Sequence, residues 1–225
     1  MPGVRSPTLT VRARGDFAVF THPALKVERM TYPVMTPSAA RGLIEAVLWK
    51  PGMRWRVRRI DVLAPIEFVA FRRNEVNSRA ATPSVEVIRN GGPLTPFYAE
   101  EDRAQRNTVA LRNVDYLIHA QIEITDRAGP EDNLTKFTEM FRRRVERGQH
   151  FHQPYLGCRE FVADVTTEDG APAPIDDTRD LGIMLWDIAY APDGNRARFF
   201  RARLEHGILE VPEDPESTLP PESAA

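Results

Sequence analysis

The segment "VALRNVDYLIHAQIEI", residues 109–124, constrains this chain more than any other stretch. Side chains alternate across a strand. Val114, Tyr116, Ile118, Ala120, Ile122 and Ile124 therefore share one face, leaving Asp115, Leu117, His119, Gln121 and Glu123 on the other. That pattern predicts a sheet strand with an apolar side against a core and a polar side turned away from it.

Two amphipathic helices are predicted around it. Ala40, Leu43, Ile44, Val47 and Leu48 recur at i, i+3, i+4, i+7 and i+8, the spacing of one buried helical face. Pro37-Ser38 opens that helix and the Trp-Lys-Pro at 49–51 stops it. In "EDNLTKFTEMFRRRVERG", Asn133 is the N-cap, Leu134, Phe137, Phe141 and Val145 form the stripe, and Gly148 ends the helix. Its arginine-rich last turn complements the helix dipole and needs no ligand to explain it.

Alternation also predicts a strand over 8–20 and a strand region over 54–71, whose parity slips around Arg58-Arg59-Ile60 and so implies a bulge or bend. Residues 72–108 lack sustained periodicity and contain Gly91-Gly92-Pro93, as a functional loop or a projecting hairpin would. Further strands are expected at 158–167, 181–190 and 197–211. The order is β-α-β-β-α-β with strands appended, an α+β, ferredoxin-like (RRM-like) arrangement with a long insertion. Three parts are expected: a ferredoxin-like RNA-binding domain over 1–150, a small β-rich part over 151–211, and an acidic, disordered tail over 212–225.

At 225 residues the chain can bury a real core, and no apolar run is long enough to span a bilayer. The N-terminus lacks the apolar stretch of a secretory signal. A lone cysteine, Cys158, fits a reducing cytoplasm. The net charge of −2 hides a gradient. Residues 1–80 carry 14 Lys and Arg against 6 Asp and Glu, 81–160 carry 11 against 12, and 161–225 carry 5 against 14. The basic front favours a polyanion such as RNA, and the acidic end favours solvent, self-shielding or a basic neighbour.

The chain has no Gly-rich phosphate loop, no Cys-x-x-C and no His-x-x-x-His, so metal and nucleotide chemistry have little support. Arg54, Arg56 and Arg58, interleaved with Trp55, precede Arg72 and Arg73. Together they could track phosphates on one surface, with Trp55 and Phe71 stacking bases. His119, on the polar strand face, is placed to move protons near neutral pH, as cleavage of RNA by its own 2′-hydroxyl requires; a surface histidine without a role is the competing reading. His150 and His152 flank Phe151; in an extended segment they would share a face, as RNA contacts or a weak metal pair, against the favoured reading of a solvated loop. Gly157, followed by Arg159, permits close backbone approach either to phosphate or to a neighbouring strand.

Six stretches, "GDFAVFTHPALKVERMTYPVMTPSAARGLIEAVLWKP", "RRIDVLAPIEF", "RRNEV", "LRNVDYLIHAQIEITDRAGPEDN", "YLGCREF" and "DLGIMLWDI", resemble in order and spacing the CRISPR-associated Cas family five protein of subtype I-C (Dvulg). The resemblance implies metal-independent cleavage of the CRISPR repeat hairpin. It implies that the protein then stays on the 5′ handle of the crRNA in an interference complex, beside the Cas family seven backbone and the Cas family eight large subunit, meeting target DNA only through that complex. No cofactor and no membrane contact are implied. The family commonly has a tyrosine just before the Trp-Lys-Pro and a Lys/His pair in the strand matching "YLIHAQIEI". Here the first position is Leu48, and the strand offers His119 without a lysine. Lys50, Tyr116 and His119 are the nearest replacements, with Tyr116 turned to the core by parity.

Overall fold

The computed structural model describes residues 4–25, 27–79, 82–83, 85–92, 96–190 and 194–219. Pro93 and residues 220–225 lie outside them. In chain order the elements are β1 (Leu9–Ala18), β2 (Arg29–Met30), α1 (Pro37–Val47), β3 (Met53–Val62), β4 (Glu67–Val76) and α2 (Val85–Arg89). There follow β5 (Arg103–Ile124), α3 (Leu134–Glu146), β6 (Asp164–Thr166), β7 (Arg179–Ala189), β8 (Arg196–Glu205) and β9 (Ile208–Glu210). A single 3₁₀ turn, Glu216–Thr218, ends the series.

The strands form one mostly antiparallel sheet in the order β6-β1-β5-β3-β9-β8-β7, with β2 and β4 also on β5. The C-terminal strands therefore extend the same sheet, through β9 on β3, and do not stand apart. α1 and α3 pack on one side of it. Trp55 of β3 meets Phe141 of α3 at 4.7 Å between ring centres. Ala40, Leu43, Ile44, Val47 and Leu48 join Tyr116, Ile118, Ala120 and Ile122 in the same core. The predicted helix starts hold: Thr36 caps α1 just before Pro37, its side chain accepting from Ala39 N–H, and Asn133 caps α3 by accepting from Lys136 N–H.

The predicted parity slip is a bulge at Arg58. Val57 pairs with Ala120 and Arg59 with His119, so Arg58 has no opposite residue. The extra residue brings Arg59 and Asp61 to the same face as Arg56, while Ile60 and Val62 return to the core.

Two expected outlines change, and for 72–108 the hairpin alternative is the one found. Residues 54–71 are two strands broken at Leu63–Ile66, because Pro65 interrupts the run. Within the unpatterned stretch 72–108, the ends of β4 and β5 form a projecting ribbon. β4 pairs with the first half of β5 from Glu67–Arg112 to Val76–Arg103. β5 itself is 22 residues long, about 75 Å at the rise of an extended strand. Asn113, at φ 50°, sits where its partner changes from β3 to β4. The strand expected at 158–167 shrinks to Asp164–Thr166, since Gly157 and a turn closed by Phe161 N–H on the Cys158 carbonyl precede it.

The acidic tail also differs from its expectation. Residues 212–219 are tied down: Trp186 Nε1–H donates to the Pro212 carbonyl at 3.0 Å, and Thr218 Oγ1 accepts from Arg201 N–H at 3.0 Å.

Candidate active site and nucleic-acid interface

On the sheet face turned away from α1 and α3, charges are arranged in pairs. Arg12 meets Asp115 at 2.6 Å and Arg56 meets Glu123 at 2.7 Å. Between them, His119 is held through both ring nitrogens. Its Nε2 lies 3.0 Å from Asp61 Oδ2 and its Nδ1 lies 3.2 Å from Thr10 Oγ1. Asp61 in turn accepts from Arg59 Nε at 2.5 Å and Nη2 at 2.9 Å. Only the bulge at Arg58 allows Arg59, Asp61 and His119 to meet, because an unbroken register would turn Asp61 into the core.

The Asp61 side chain is 4% exposed and that of His119 is 19% exposed. Burial pushes the Asp61 carboxyl up, but hydrogen bonds from His119 and Arg59 outweigh it and hold it below the usual range. A carboxylate is thus fixed against Nε2, while the Thr10 hydroxyl occupies Nδ1. The arrangement suits proton transfer through Nδ1, with Asp61 orienting the ring and stabilising its charged form.

The other proposed reactive groups do not join His119. Tyr116 is 2% exposed on the helix side of the sheet, and burial pushes its phenol up, away from any working range. Lys50 is exposed at the α1–β3 turn. Met53 pairs with Ile124, five positions along β5 from His119, or about 17 Å away. Leu48 is fully buried and its carbonyl accepts Trp55 Nε1–H at 2.8 Å. That bond also corrects the stacking role expected of Trp55, which is a core side chain 1% exposed.

The arginines do not form one surface. Arg56 lies beside Gln121 and Arg72 beside Asn107, fourteen positions apart on β5 and so about 48 Å. Arg54 is exposed, Arg56 is held by Glu123, and Arg58 by Glu213 at 2.9 Å. On the ribbon, Arg72 is exposed, whereas Arg73 bonds Thr108, Glu75 and Glu160. Arg159 is exposed beside Glu160. Gly157 approaches protein, not phosphate. It has φ 83°, and a Cβ there would stand 2.0 Å from the Val19 carbonyl oxygen.

The sequence reading missed a second feature. β9 pairs with only Arg59–Asp61 of β3, and the uncovered start of β3 faces β7 across a cleft of about 700 Å³. Trp49, Arg54, Arg127, Trp186, Tyr190 and Arg198 line it. Trp49 and Tyr190 are 55% and 71% exposed, and the Arg198 guanidinium lies 5.0 Å over the Trp186 ring. Exposed aromatics among arginines are the means by which proteins stack bases and hold a single-stranded backbone. Exposed aromatics beside helix and strand ends were the available signal. Among the described residues no group of three or more His, Cys, Asp or Glu is placed to hold a metal ion, and no helix is long and apolar enough to cross a membrane.

Residues 8–212 match the Cas5d family, described as CRISPR-associated protein (Cas_Cas5). The chain belongs to the Cas5d family. Among its Cas5d relatives, a protein of Mannheimia succiniciproducens named CRISPR pre-crRNA endoribonuclease Cas5d is 42% identical over 88% of this chain and 92% of its own. One of the same name from Thermus thermophilus is 40% identical over 91% of each chain. A solved structure titled as a CRISPR-associated protein superposes with a TM-score of 0.69 at 21% identity, covering 96% of both chains. A chain of a CRISPR RNA-guided surveillance complex gives 0.52 at 14% identity over 92% of both. The Cas5d sheet is thus shared well beyond recognisable sequence similarity.

Proposed function

We propose that this chain cleaves the repeat hairpin of CRISPR precursor RNA and remains on the 5′ handle of the product as a subunit of a type I-C interference complex, in the cytoplasm. The curated relatives carry the pre-crRNA endoribonuclease name, and the order β6-β1-β5-β3 around α1 and α3 supports a ferredoxin-like core. The observation that carries the chemistry is His119 fixed between Asp61 and Thr10.

In this reading the RNA 2′-hydroxyl replaces the Thr10 hydroxyl at Nδ1, and His119 takes its proton as the oxygen attacks the adjacent phosphorus. The P–O5′ bond breaks and the departing 5′ oxygen takes a proton from water, leaving a 2′,3′-cyclic phosphate and a 5′-hydroxyl; His119 returns its proton to solvent, and Arg59 stabilises the charge gathered on phosphorus. The basic-aromatic cleft holds the flanking single strand, and the ribbon with Arg72 reaches a Cas family seven or Cas family eight neighbour. Labelled repeat RNA incubated in EDTA tests this: His119→Ala should slow cleavage about 10²- to 10⁴-fold with affinity nearly intact. Wild-type cleavage unaffected by the substitution would exclude His119.

A second reading, in which RNA is held but not cut, rests on the identity of position 48, a leucine where the family commonly has a tyrosine. Repeat RNA bound tightly and left whole would support it.

A further inference from the structure

The family match stops at residue 212, where the acidic tail begins. Its carboxylates are set against arginines drawn from three separate parts of the chain. Glu213 bridges Arg5 at 2.5 Å and Arg58 at 2.9 Å. Arg198, which covers Trp186, faces Glu216 at 3.2 Å and Asp214 at 3.9 Å. Arg5, Pro212 and Glu213 also line a smaller cavity of about 120 Å³ with Arg56, Arg58 and Trp186, continuous in its lining with the larger cleft.

We propose that Arg5, Arg58 and Arg198 form phosphate sites for an RNA strand running along the β3–β7 cleft, and that the tail's Glu213, Asp214 and Glu216 occupy those sites in its absence. The proposal rests on the RNA-binding reading above. The exposures are unequal in a way that fits an exchangeable anion. The tail carboxylates are 55–71% exposed, whereas Arg5, Arg58 and Arg198 are 25%, 33% and 37% exposed and backed by fixed structure. Arg5 is further oriented by a neighbour outside the tail, Glu123, 3.5 Å away. Exposed ion pairs are readily replaced by another anion, and a polyphosphate chain delivers several at once.

The consequence is measurable as salt dependence. In the wild type RNA must displace the tail, and because the tail's exposed ion pairs weaken as salt rises, that competition fades and affinity falls less steeply with salt. Removing the tail's charges therefore tightens binding at low salt and steepens the slope of log affinity against log salt.

The test uses full-length protein carrying Glu213→Gln, Asp214→Asn and Glu216→Gln together, because truncation would also remove the Pro212 acceptor of Trp186. The probes are a single-stranded oligouridine, which reads electrostatics alone, and the repeat RNA. We expect tighter binding of both at low salt and the steeper slope, with the gain abolished when Arg5→Ala and Arg198→Ala are added. Equal affinity and equal slope in wild type and the triple variant would overturn the tail's role while leaving repeat binding and cleavage standing. If neither protein binds either RNA, the RNA-binding reading fails and takes this proposal with it. If the triple variant gains on oligouridine while neither protein cleaves repeat RNA, the tail's role holds and the nuclease reading fails.

Discussion

Replacing Asp61 by Asn isolates the contribution of one carboxylate to both stability and reaction. Asp61 accepts two bonds from Arg59 and one from His119 while only 4% of its side chain meets solvent. Charge-assisted bonds contribute about 1.5–3 kcal/mol each. The amide keeps one acceptor and turns its NH₂ against the remaining donors, so about two such bonds are weakened. Arg59, 36% exposed, can recover part of the loss from water, which brings the expected cost to about 2 kcal/mol. For a chain of this size that is a fall in Tm of about 4–8 °C. The folded Asp61 pKa lies below its unfolded value. Its stabilisation is therefore complete above the ordinary carboxylate pKa of about 3.9 and is lost as pH falls through the lower folded value. The two proteins should differ at pH 7 and converge in strong acid. On RNA the amide favours the wrong imidazole tautomer, placing a proton on Nδ1, and single-turnover cleavage in EDTA should drop about 10²- to 10⁴-fold. Thermal unfolding at pH 7 and pH 3 and the cleavage rate read both effects. If Asp61→Asn melts and cleaves as wild type does, the pairing of Asp61 with His119 has no role.

Leu48→Tyr should not restore a missing catalytic group. The side chain is fully buried on the helix side of the sheet, so the larger ring should cost about 1–3 kcal/mol; a faster cleavage rate with an unchanged Tm would place the reactive centre elsewhere than His119. Gly157→Ala should cost about 3 kcal/mol or more, read as lost soluble yield or a much lower Tm, because its φ of 83° and the Val19 carbonyl 2.0 Å away leave no room for a methyl group.

The elements legible in the sequence are those whose two sides differ. Alternation over 109–124 identified the buried row from Val114 to Ile122, and the parity slip at Arg58 located the bulge that assembles the His119 site. The hairpin over 72–108 was legible only as one of two alternatives, because the half-buried row of β4 mixes Glu67, Val69, Phe71, Arg73 and Glu75 and leaves no apolar row to count. Trp55 was legible in principle. It alternates with Arg54 and Arg56, so arginines on the outer face imply a buried indole, and clustering by sequence proximity obscured that. The tail's pairing with Arg5, Arg58 and Arg198 joins polar groups from distant parts of the chain, and no periodicity records such contacts. Asp61, likewise, reads as one more charge until the register brings it opposite the polar row of β5.

β5 is also a mechanical object. One continuous strand carries His119 at one end and the ribbon at the other, with Asn113 in a left-handed conformation at the changeover, a geometry asparagine tolerates better than most residues. β1 pairs with β5 on both sides of Asn113 and β2 pairs at Thr108 and Val109, so the free arm begins there and reaches about 17 Å to Arg103. A tilt of about 10° at that point moves its tip by about 3 Å, and a neighbour gripping the tip would hold a lever built from the same continuous strand that carries His119.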